Sequence, residues 1–277
     1  MFLRRIILAF FMLSVITIIN SAYGVEVVLF EEDFEDLTLE DSVMEGLARN
    51  KVWTDTPPDG WNIVDAGDKD GGGEICNGMR EWDGWAFADA EWWTQTADDQ
   101  NRSQFTLNGL AEGTIAIADP DEWDDANGPE GRGCTFNSWL STPPINIAGA
   151  TRNSLVLTFD SSWRPEDQQD AELTVSFDGD EEIAIMTMES IGVTTRYKVP
   201  EEGIDEIKND NTQVNETLEF MIPNPKGSQT MVITWAVIDA INDWWWAVDN
   251  ISLKSTDFAV STEGKLASSW GSVKSQL

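Results

Sequence analysis

The sequence predicts an all-β fold, a sandwich of two antiparallel sheets joined by long loops. Short segments of alternating apolar and polar residues recur along the chain, and in one of them Leu155, Leu157 and Phe159 share a face. Stretches rich in Gly, Asp and Asn, which favour turns, separate these segments. No long amphipathic helix is apparent between them, and many strands without intervening helices indicate antiparallel pairing.

The alternation defines a series of candidate strands within one domain, residues 25–254. In chain order they are residues 27–34, 61–64, 85–88, 114–118, 136–140, 154–161, 172–177, 182–188, 216–222, 230–238 and 245–253. Three stretches, 65–79, 119–133 and 189–215, lack periodicity and are expected to be irregular loops.

Residues 1–24 have the order of a secretory signal peptide. A basic pair precedes an apolar run at 6–19, and small residues follow at Ala22 and Gly24. The run is shorter than the roughly 20 residues that span a bilayer, although an uncleaved anchor is the alternative. We therefore expect a secreted, periplasmic or cell-surface protein.

The chain is strongly acidic, with 50 Asp and Glu residues against 17 Lys and Arg and a formal net charge of −33. Such a surface repels nucleic acid and anionic membranes, because it lacks the cations that displace phosphate counterions. Divalent cations, neutral glycans and basic surfaces are the partners that remain. Growth in salty water, where salt screens the self-repulsion, is an alternative reason for the charge.

Two cysteines, Cys76 and Cys134, are the complete set. In an oxidising compartment we expect them to form a disulfide that staples two long Gly-rich loops. Two free thiols are the alternative.

The sequence contains no histidine. This excludes a Ser-His-Asp triad, a Cys-His nucleophile and a His-ligated zinc centre. The segment Asp70-Gly71-Gly72-Gly73 lacks the lysine and the helix of a phosphate-binding loop. A mechanism that uses only carboxylates, as in glycoside hydrolysis, is still open.

Several motifs occur in a fixed order along the domain. They include Asp33-Phe34-Glu35, Trp53-Thr54-Asp55, Pro57-Pro58-Asp59-Gly60-Trp61, Gly84-Trp85-Ala86-Phe87, Leu140-Ser141-Thr142-Pro143-Pro144 and, at the end, Asp249-Asn250-Ile251. In this order, over residues 27–253, the chain resembles the MAM-like and related concanavalin-like jelly-roll domains of secreted proteins. The similarity is to a bacterial version sometimes joined to extracellular metallophosphoesterases. It implies a jelly-roll β-sandwich with an accessory role, and we expect no companion catalytic domain in these 277 residues.

The resemblance also implies that the first and last strands lie side by side, which brings Asp33 or Glu35 near Asp249. Calcium takes six to eight oxygen ligands from carboxylates, backbone carbonyls and water. We therefore expect a structural calcium ion bound by Asp33, Glu35 and Asp249. The alternative is that Asp249 and Asn250 cap a turn or bond to the backbone.

Fourteen tryptophans are available for stacking against sugar rings. If a Trp pair is extended, one ring of the pair must point outward. We expect ligand contact from Trp82, Trp92, Trp123 and Trp244, with hydrogen bonds from loop Asp, Asn, Arg102 or Arg164. Packing beneath the long loops is the alternative for each ring.

Residues 255–277 form a polar tether followed by a short C-terminal element. In that element Leu266, Trp270, Val273 and Leu277 fall at helical spacing. A docking or sorting signal and a frayed terminus are both consistent with this pattern.

These observations predict a binding or adhesion module outside the cell that recognises carbohydrate with the help of structural calcium. We do not expect an enzyme. One alternative is a structural envelope protein docked through residues 255–277. The other is a carboxylate-only glycoside hydrolase, or an accessory domain of an extracellular hydrolase.

Overall fold

The computed structural model describes residues 26–47, 49–67, 78–96, 98–125, 135–166, 168–192, 194–210 and 214–258. The strands in these ranges are β1 (Val27–Glu32), β2 (Trp53–Thr54), β3 (Asn62–Ala66), β4 (Ala86–Asp89), β5 (Thr114–Ala118), β6 (Phe136–Ser141), β7 (Ile145–Asn146), β8 (Leu155–Trp163), β9 (Asp170–Phe177), β10 (Ile183–Ile191), β11 (Thr194–Val199), β12 (Ile204–Asp210), β13 (Val214–Ile222), β14 (Thr230–Ala240) and β15 (Trp246–Ser255). Three short helices join them: α1 (Ala90–Thr96), α2 (Ser103–Leu107) and α3 (Pro120–Asp124).

The strands form two antiparallel sheets. The seven-stranded sheet has the order β13-β8-β15-β5-β4-β2, with β1 paired to β15. The eight-stranded sheet has the order β12-β11-β10-β9-β14-β6-β3, with β7 paired to β14. The predicted all-β sandwich of two antiparallel sheets is confirmed.

Strand alternation generates the core between the sheets. On β8, Leu155, Leu157 and Phe159 are each 0% exposed, while the residues between them are partly exposed. On the facing sheet, Trp235 of β14 meets Phe159 edge to face, with ring centroids 5.7 Å apart. Each fully buried apolar side chain of this kind contributes about 1.5–3 kcal/mol.

Two predicted loops are wrong at least in part: the stretch 119–133 contains α3, and the stretch 189–215 contains strands. Residues 189–215 were expected to be irregular, but they contain the end of β10, all of β11 and β12, and the start of β13. On β11, Tyr197 and Val199 are 5% and 2% exposed. These side chains pack inward and extend the core beneath the eight-stranded sheet.

The helix α1 contains one of the tryptophan pairs, so this pair is not extended. Trp92 and Trp93 are both 0% exposed, because a helix between packed layers can bury two consecutive side chains. The helix α3 begins at Pro120, and the Asp119 side chain accepts a hydrogen bond from the backbone N–H of Glu122 as its N-cap.

The ends of the domain lie side by side, since β1 pairs with β15 from Val27–Ser255 to Glu32–Ile251. After β15, the chain still contacts the sandwich: Phe258 bridges to Ala150. The rest of the predicted tail, the predicted signal peptide and the predicted disulfide between Cys76 and Cys134 lie outside the described residues. Within the described ranges, no helix has the length and apolar composition needed to cross a membrane.

Candidate functional site

Three adjoining hollows surround the segment that follows β1. Carboxylates dominate their walls, and no described Lys or Arg lines them; the acidic lining residues are Glu31, Glu32, Asp33, Glu35, Asp36, Glu40, Asp59, Asp89, Glu91, Glu112 and Asp249. The predicted calcium ligands Asp33, Glu35 and Asp249 all line one of these hollows, of about 600 Å³. We call this hollow the acidic hollow.

Asp249 is the buried member of the acidic hollow, at 1% exposure. Its carboxylate accepts hydrogen bonds from the backbone N–H groups of Asn250 at 2.7 Å and Glu112 at 3.3 Å. Burial, together with the charges of Glu35 and Asp160, raises the pKa of Asp249 to about 7. A cation in the hollow would relieve this electrostatic cost.

Glu35 and Asp33 are held less tightly. Glu35 Oε1 accepts a hydrogen bond from the backbone N–H of Thr114 at 3.0 Å, and Asp33 Oδ1 accepts one from the backbone N–H of Glu35 at 3.3 Å. The oxygens are of the type that calcium prefers. In the described part of the chain, however, no three Asp, Glu, Cys or His side chains are close enough together to hold a metal ion. Backbone carbonyls and water would have to complete the shell.

Three of the four predicted ligand-binding tryptophans lie in the core. Trp82, Trp92 and Trp123 are each 0% exposed, and the rings of Trp82 and Trp92 stack with centroids 5.7 Å apart. Their indole N–H groups donate to groups of the protein, for example from Trp92 to the carbonyl of Leu47 at 3.1 Å. This arrangement is the alternative interpretation, packing beneath the loops, and it removes these rings from a surface platform.

The fourth, Trp244, is partly exposed and ends a ladder of indole and guanidinium groups. The Arg164 guanidinium carbon lies 3.5 Å from the Trp244 ring centroid and 5.3 Å from that of Trp245. Arg102 continues the ladder inward. Its guanidinium carbon lies 5.0 Å from the Trp245 ring centroid and 5.3 Å from that of Trp93. Cation–π contacts of this kind tie the β14–β15 loop to α1.

Arg102 is 0% exposed, so it is not positioned to bind an external ligand as expected. Its guanidinium lies 3.0 Å from Asp119, 2.7 Å from Glu122 and 3.5 Å from Asp121. Burial, together with the charge of Asp119, raises the pKa of Asp121 to about 7. Burial also raises the pKa of Glu122 to about 8, against the lowering effect of Arg102. One cation is thus shared among three buried or half-buried carboxyl groups, which is a structural role.

Trp139 on β6 is a surface tryptophan that was not among the predicted ligand-binding residues. Among the described tryptophans, only Trp139 and Trp244 are not buried. Phe136 and Leu140 on the same strand are 0% exposed and face the core, so alternation directs Trp139 to the outer face of the eight-stranded sheet. The same alternation was visible in the sequence.

Small and polar side chains surround Trp139 on that outer face. Strand register aligns Trp139 with Ala236 of β14, and Ala236 with Glu172 of β9. Two strand spacings separate Trp139 from Glu172, or about 10 Å. The small side chains between and beside them are covered: Ala236, Thr234 and Thr174 are only 2%, 4% and 9% exposed.

Hydroxyl groups continue along this face. The hydroxyls of Ser141 and Thr234 lie 2.9 Å apart, and the hydroxyl of Thr174 donates to Glu182 at 2.9 Å. On the far side of Trp139, Val64 of β3 is 41% exposed. The outer face therefore combines an indole, an apolar neighbour, hydroxyls and carboxylates on one sheet.

No protein-family model matches the sequence, and no curated protein matches it. The resemblance to MAM-like domains therefore stays a prediction.

Solved structures give weak matches. A carbohydrate-binding module, TmCBM61 in complex with β-1,4-galactotriose, has 14% identity and a TM-score of 0.35, with 70% of this chain and 88% of that chain covered. The K3 adhesin domain of Lys-gingipain from Porphyromonas gingivalis has 15% identity and a TM-score of 0.39, with 83% and 100% covered. A Stig cyclase from Fischerella sp. TAU has 11% identity and a TM-score of 0.42, with 85% and 100% covered.

These three proteins differ in function, and at such scores the likeness carries no argument about what this chain binds. The assignment that stands is an all-β sandwich of two antiparallel sheets with two partly exposed tryptophans among its described residues.

Proposed function

We propose that this chain is a recognition module, acting outside the cytoplasm, that binds glycans without transforming them. The observation that carries the proposal is the partly exposed position of Trp139 on the outer face of the eight-stranded sheet. An indole offers a flat apolar surface to the C–H face of a sugar ring, and nearby hydroxyls and carboxylates accept or donate hydrogen bonds to its polar edge.

The sheet makes this outer face a rigid binding surface. Trp139 is fixed by pairing on both sides of β6, with Val64 of β3 and Ala236 of β14. A site on paired strands loses little conformational entropy when a ligand binds, because its side chains are already in position.

Glycan binding is tested by measuring the affinity for neutral and amino-substituted polysaccharides of the wild-type chain and two variants. We expect Trp139→Ala to weaken binding at least tenfold, because it removes the stacking surface. Trp244→Ala, which alters the other partly exposed indole, is the matched control and should bind within about twofold of wild type.

Loss of binding in Trp244→Ala with normal binding in Trp139→Ala would move the site to the end of the indole–guanidinium ladder. Absence of binding to every polysaccharide by the folded wild-type chain would reject the proposed function.

We propose further that a calcium ion in the acidic hollow links the first and last strands. Asp249 and Glu35 would be its side-chain ligands, with Asp33 at the rim. Because the ion would offset the raised pKa of Asp249, calcium should increase the melting temperature at pH 7.5 and chelation should reverse the increase. Asp249→Asn should lose this response. An equal increase with sodium at matched ionic strength would indicate screening and contradict the proposal.

Binding without catalysis is also a proposal. The sequence has no histidine, so carboxylate pairs are the remaining candidates for acid–base chemistry. Asp249 has the raised pKa of a general acid, but it is 1% exposed and its oxygens accept two backbone N–H groups. Held in this way, it is poorly placed to protonate a glycosidic oxygen. Incubation with polysaccharides should release no reducing ends.

A further inference from the structure

Residues 43–47, which we call the apolar tip, present three apolar side chains to solvent. Val43 is 66% exposed, Met44 is 49% exposed and Leu47 is 36% exposed. No other stretch of five described residues exposes three large apolar side chains. Single exposed apolar residues are normal on a protein surface, whereas a contiguous group of them marks an interaction site.

The backbone of the apolar tip is fixed from inside the molecule. Glu81, which is 0% exposed, accepts hydrogen bonds from the backbone N–H groups of Met44 at 2.7 Å and Glu45 at 3.0 Å. The indole N–H of Trp92 donates to the carbonyl of Leu47 at 3.1 Å. These bonds direct backbone groups inward while the apolar side chains stay outside. A partner therefore meets an ordered surface, and little conformational entropy is lost on contact.

The loop that carries the apolar tip begins at the rim of a hollow. At the base of this loop, the backbone N–H of Glu40 donates to the carbonyl of Trp53 at 2.6 Å. Glu40 and Thr54 also line a hollow of about 620 Å³, so the tip and this hollow are neighbours on the surface. We call it the proline hollow, because its apolar lining residues are Leu37, Pro57 and Pro58.

The apolar tip and the proline hollow have opposite charges around them. Arg49 and Lys51 are exposed on the part of the loop that returns from the tip. The proline hollow has no described Lys or Arg in its lining, and its carboxylates are those of Glu32, Asp36, Glu40 and Asp59. An apolar tip with basic neighbours therefore complements an apolar hollow with an acidic rim. A second copy related by a half-turn presents both features in the reverse order.

We propose that two copies of this chain associate about a two-fold axis, with the apolar tip of each copy in the proline hollow of the other. Each copy uses the same surface in such a contact, so association ends at the dimer. The net charge of −33 on each copy opposes the contact. We therefore expect the dimer to form where salt screens this repulsion, since the burial of apolar surface is not screened. The inference does not depend on glycan binding.

Sedimentation velocity in about 0.5 M NaCl, over a series of protein concentrations, tests the association. We expect the wild-type chain to show a monomer–dimer equilibrium, and Met44→Ser to raise the dimer dissociation constant about tenfold, a loss of about 1.4 kcal/mol. Met221→Ser is the matched control and should behave as wild type. Met221 is 53% exposed, and its strand β13 lies at the opposite edge of the seven-stranded sheet from β2.

A second variant tests the hollow. Thr38 is exposed and lines the proline hollow. Thr38→Trp adds a large side chain there without removing any part of the tip, and it should also weaken the dimer about tenfold. Loss of the dimer in Met44→Ser with a normal dimer in Thr38→Trp would mean that the two tips pack on each other, which would reject the hollow as the receiving surface.

Other results would overturn the inference as a whole. A wild-type chain that stays monomeric at every concentration would reject self-association. An equally strong dimer in wild type, Met44→Ser and Thr38→Trp would place the contact elsewhere, and growth beyond the dimer would reject the two-fold axis. Monomers that sediment with phosphatidylcholine vesicles, and lose this property in Met44→Ser, would show that the tip docks on a lipid surface instead.

Discussion

At the scale of single residues, Glu81 shows how one buried carboxylate holds a surface loop in place. It is 0% exposed, and its Oε1 accepts hydrogen bonds from the consecutive backbone N–H groups of Val43, Met44 and Glu45. Indole N–H groups fix the same loop at other points, as in the bond from Trp53 to the carbonyl of Asp41. The loop has no regular secondary structure, so these bonds determine its conformation.

Removal of the Glu81 carboxylate should destabilise the fold. In Glu81→Ala, three backbone N–H groups lose their acceptor, and each lost hydrogen bond costs about 0.5–1.5 kcal/mol. We expect the free energy of unfolding to fall by about 3 kcal/mol in urea titrations, with an unchanged slope. Glu219→Ala, which removes an exposed carboxylate, should change it by less than about 0.5 kcal/mol. Equal stability of Glu81→Ala and wild type would contradict this role.

Individual residues also show which parts of the candidate site the sequence could predict. The resemblance to MAM-like domains implied that Asp33 or Glu35 lies near Asp249, and all three line one hollow. For Trp82 and Trp123 the sequence left ligand contact and packing beneath the loops open, and the structure shows the second, with both rings 0% exposed. Long-range packing of this kind leaves no periodic signal in the sequence.

At the scale of secondary structure elements, period-two alternation predicted the strands reliably, whereas no sequence pattern predicted the short helices. Strands such as β8 and β13 were predicted within a few residues, since one face of each is buried. The helix α1 has only seven residues, too few to show helical periodicity, and tertiary contacts determine it. The strand β11 was missed because Arg196 and Lys198 on its outer side made the segment look like a polar loop.

The two faces of β11 should respond differently to mutation. Tyr197 is 5% exposed, so Tyr197→Ala should lower the free energy of unfolding by about 3 kcal/mol through lost packing. Arg196 pairs with Asp205 at 2.7 Å on the exposed side, and Arg196→Ala should cost less than about 1 kcal/mol. Urea denaturation measures both changes. A small effect of Tyr197→Ala would mean that β11 and β12 are not packed on the sandwich.

At the scale of the whole molecule, the net charge of −33 is not spread over a fully hydrated surface. Carboxyl groups with raised pKa occur at both sheets and beneath the loops: burial raises the pKa of Asp65 to about 6, of Asp121 to about 7 and of Glu122 to about 8. The exposed carboxyl group of Asp178 behaves in the opposite way. Hydrogen bonds from the backbone N–H groups of Thr230 and Gln229 lower its pKa. Proton binding, cation binding and stability are therefore linked in this chain.

The raised pKa values determine whether stability rises or falls with pH. A carboxyl group whose folded pKa is raised binds more protons in the folded than in the unfolded state between about pH 4 and pH 8, so stability falls as pH rises through that window. We expect the melting temperature at pH 5 to exceed that at pH 8, as measured by thermal denaturation in buffers of equal ionic strength. Below about pH 4, the raised groups are protonated in both states and add no further stability, while Asp178, whose folded pKa is lowered, loses its contribution as it becomes protonated. A melting temperature that rises from pH 5 to pH 8 would contradict these assignments.

The central claim, that a glycan lies against Trp139 on the outer face of the eight-stranded sheet, has a direct spectroscopic test. In a two-dimensional proton–nitrogen NMR spectrum, each tryptophan gives one indole N–H signal, which single Trp→Phe variants assign. During titration with glucosamine tetrasaccharide, we expect the Trp139 signal to move to saturation while those of Trp244 and the buried rings stay in place. Movement of the Trp244 signal with an unchanged Trp139 signal would contradict the account.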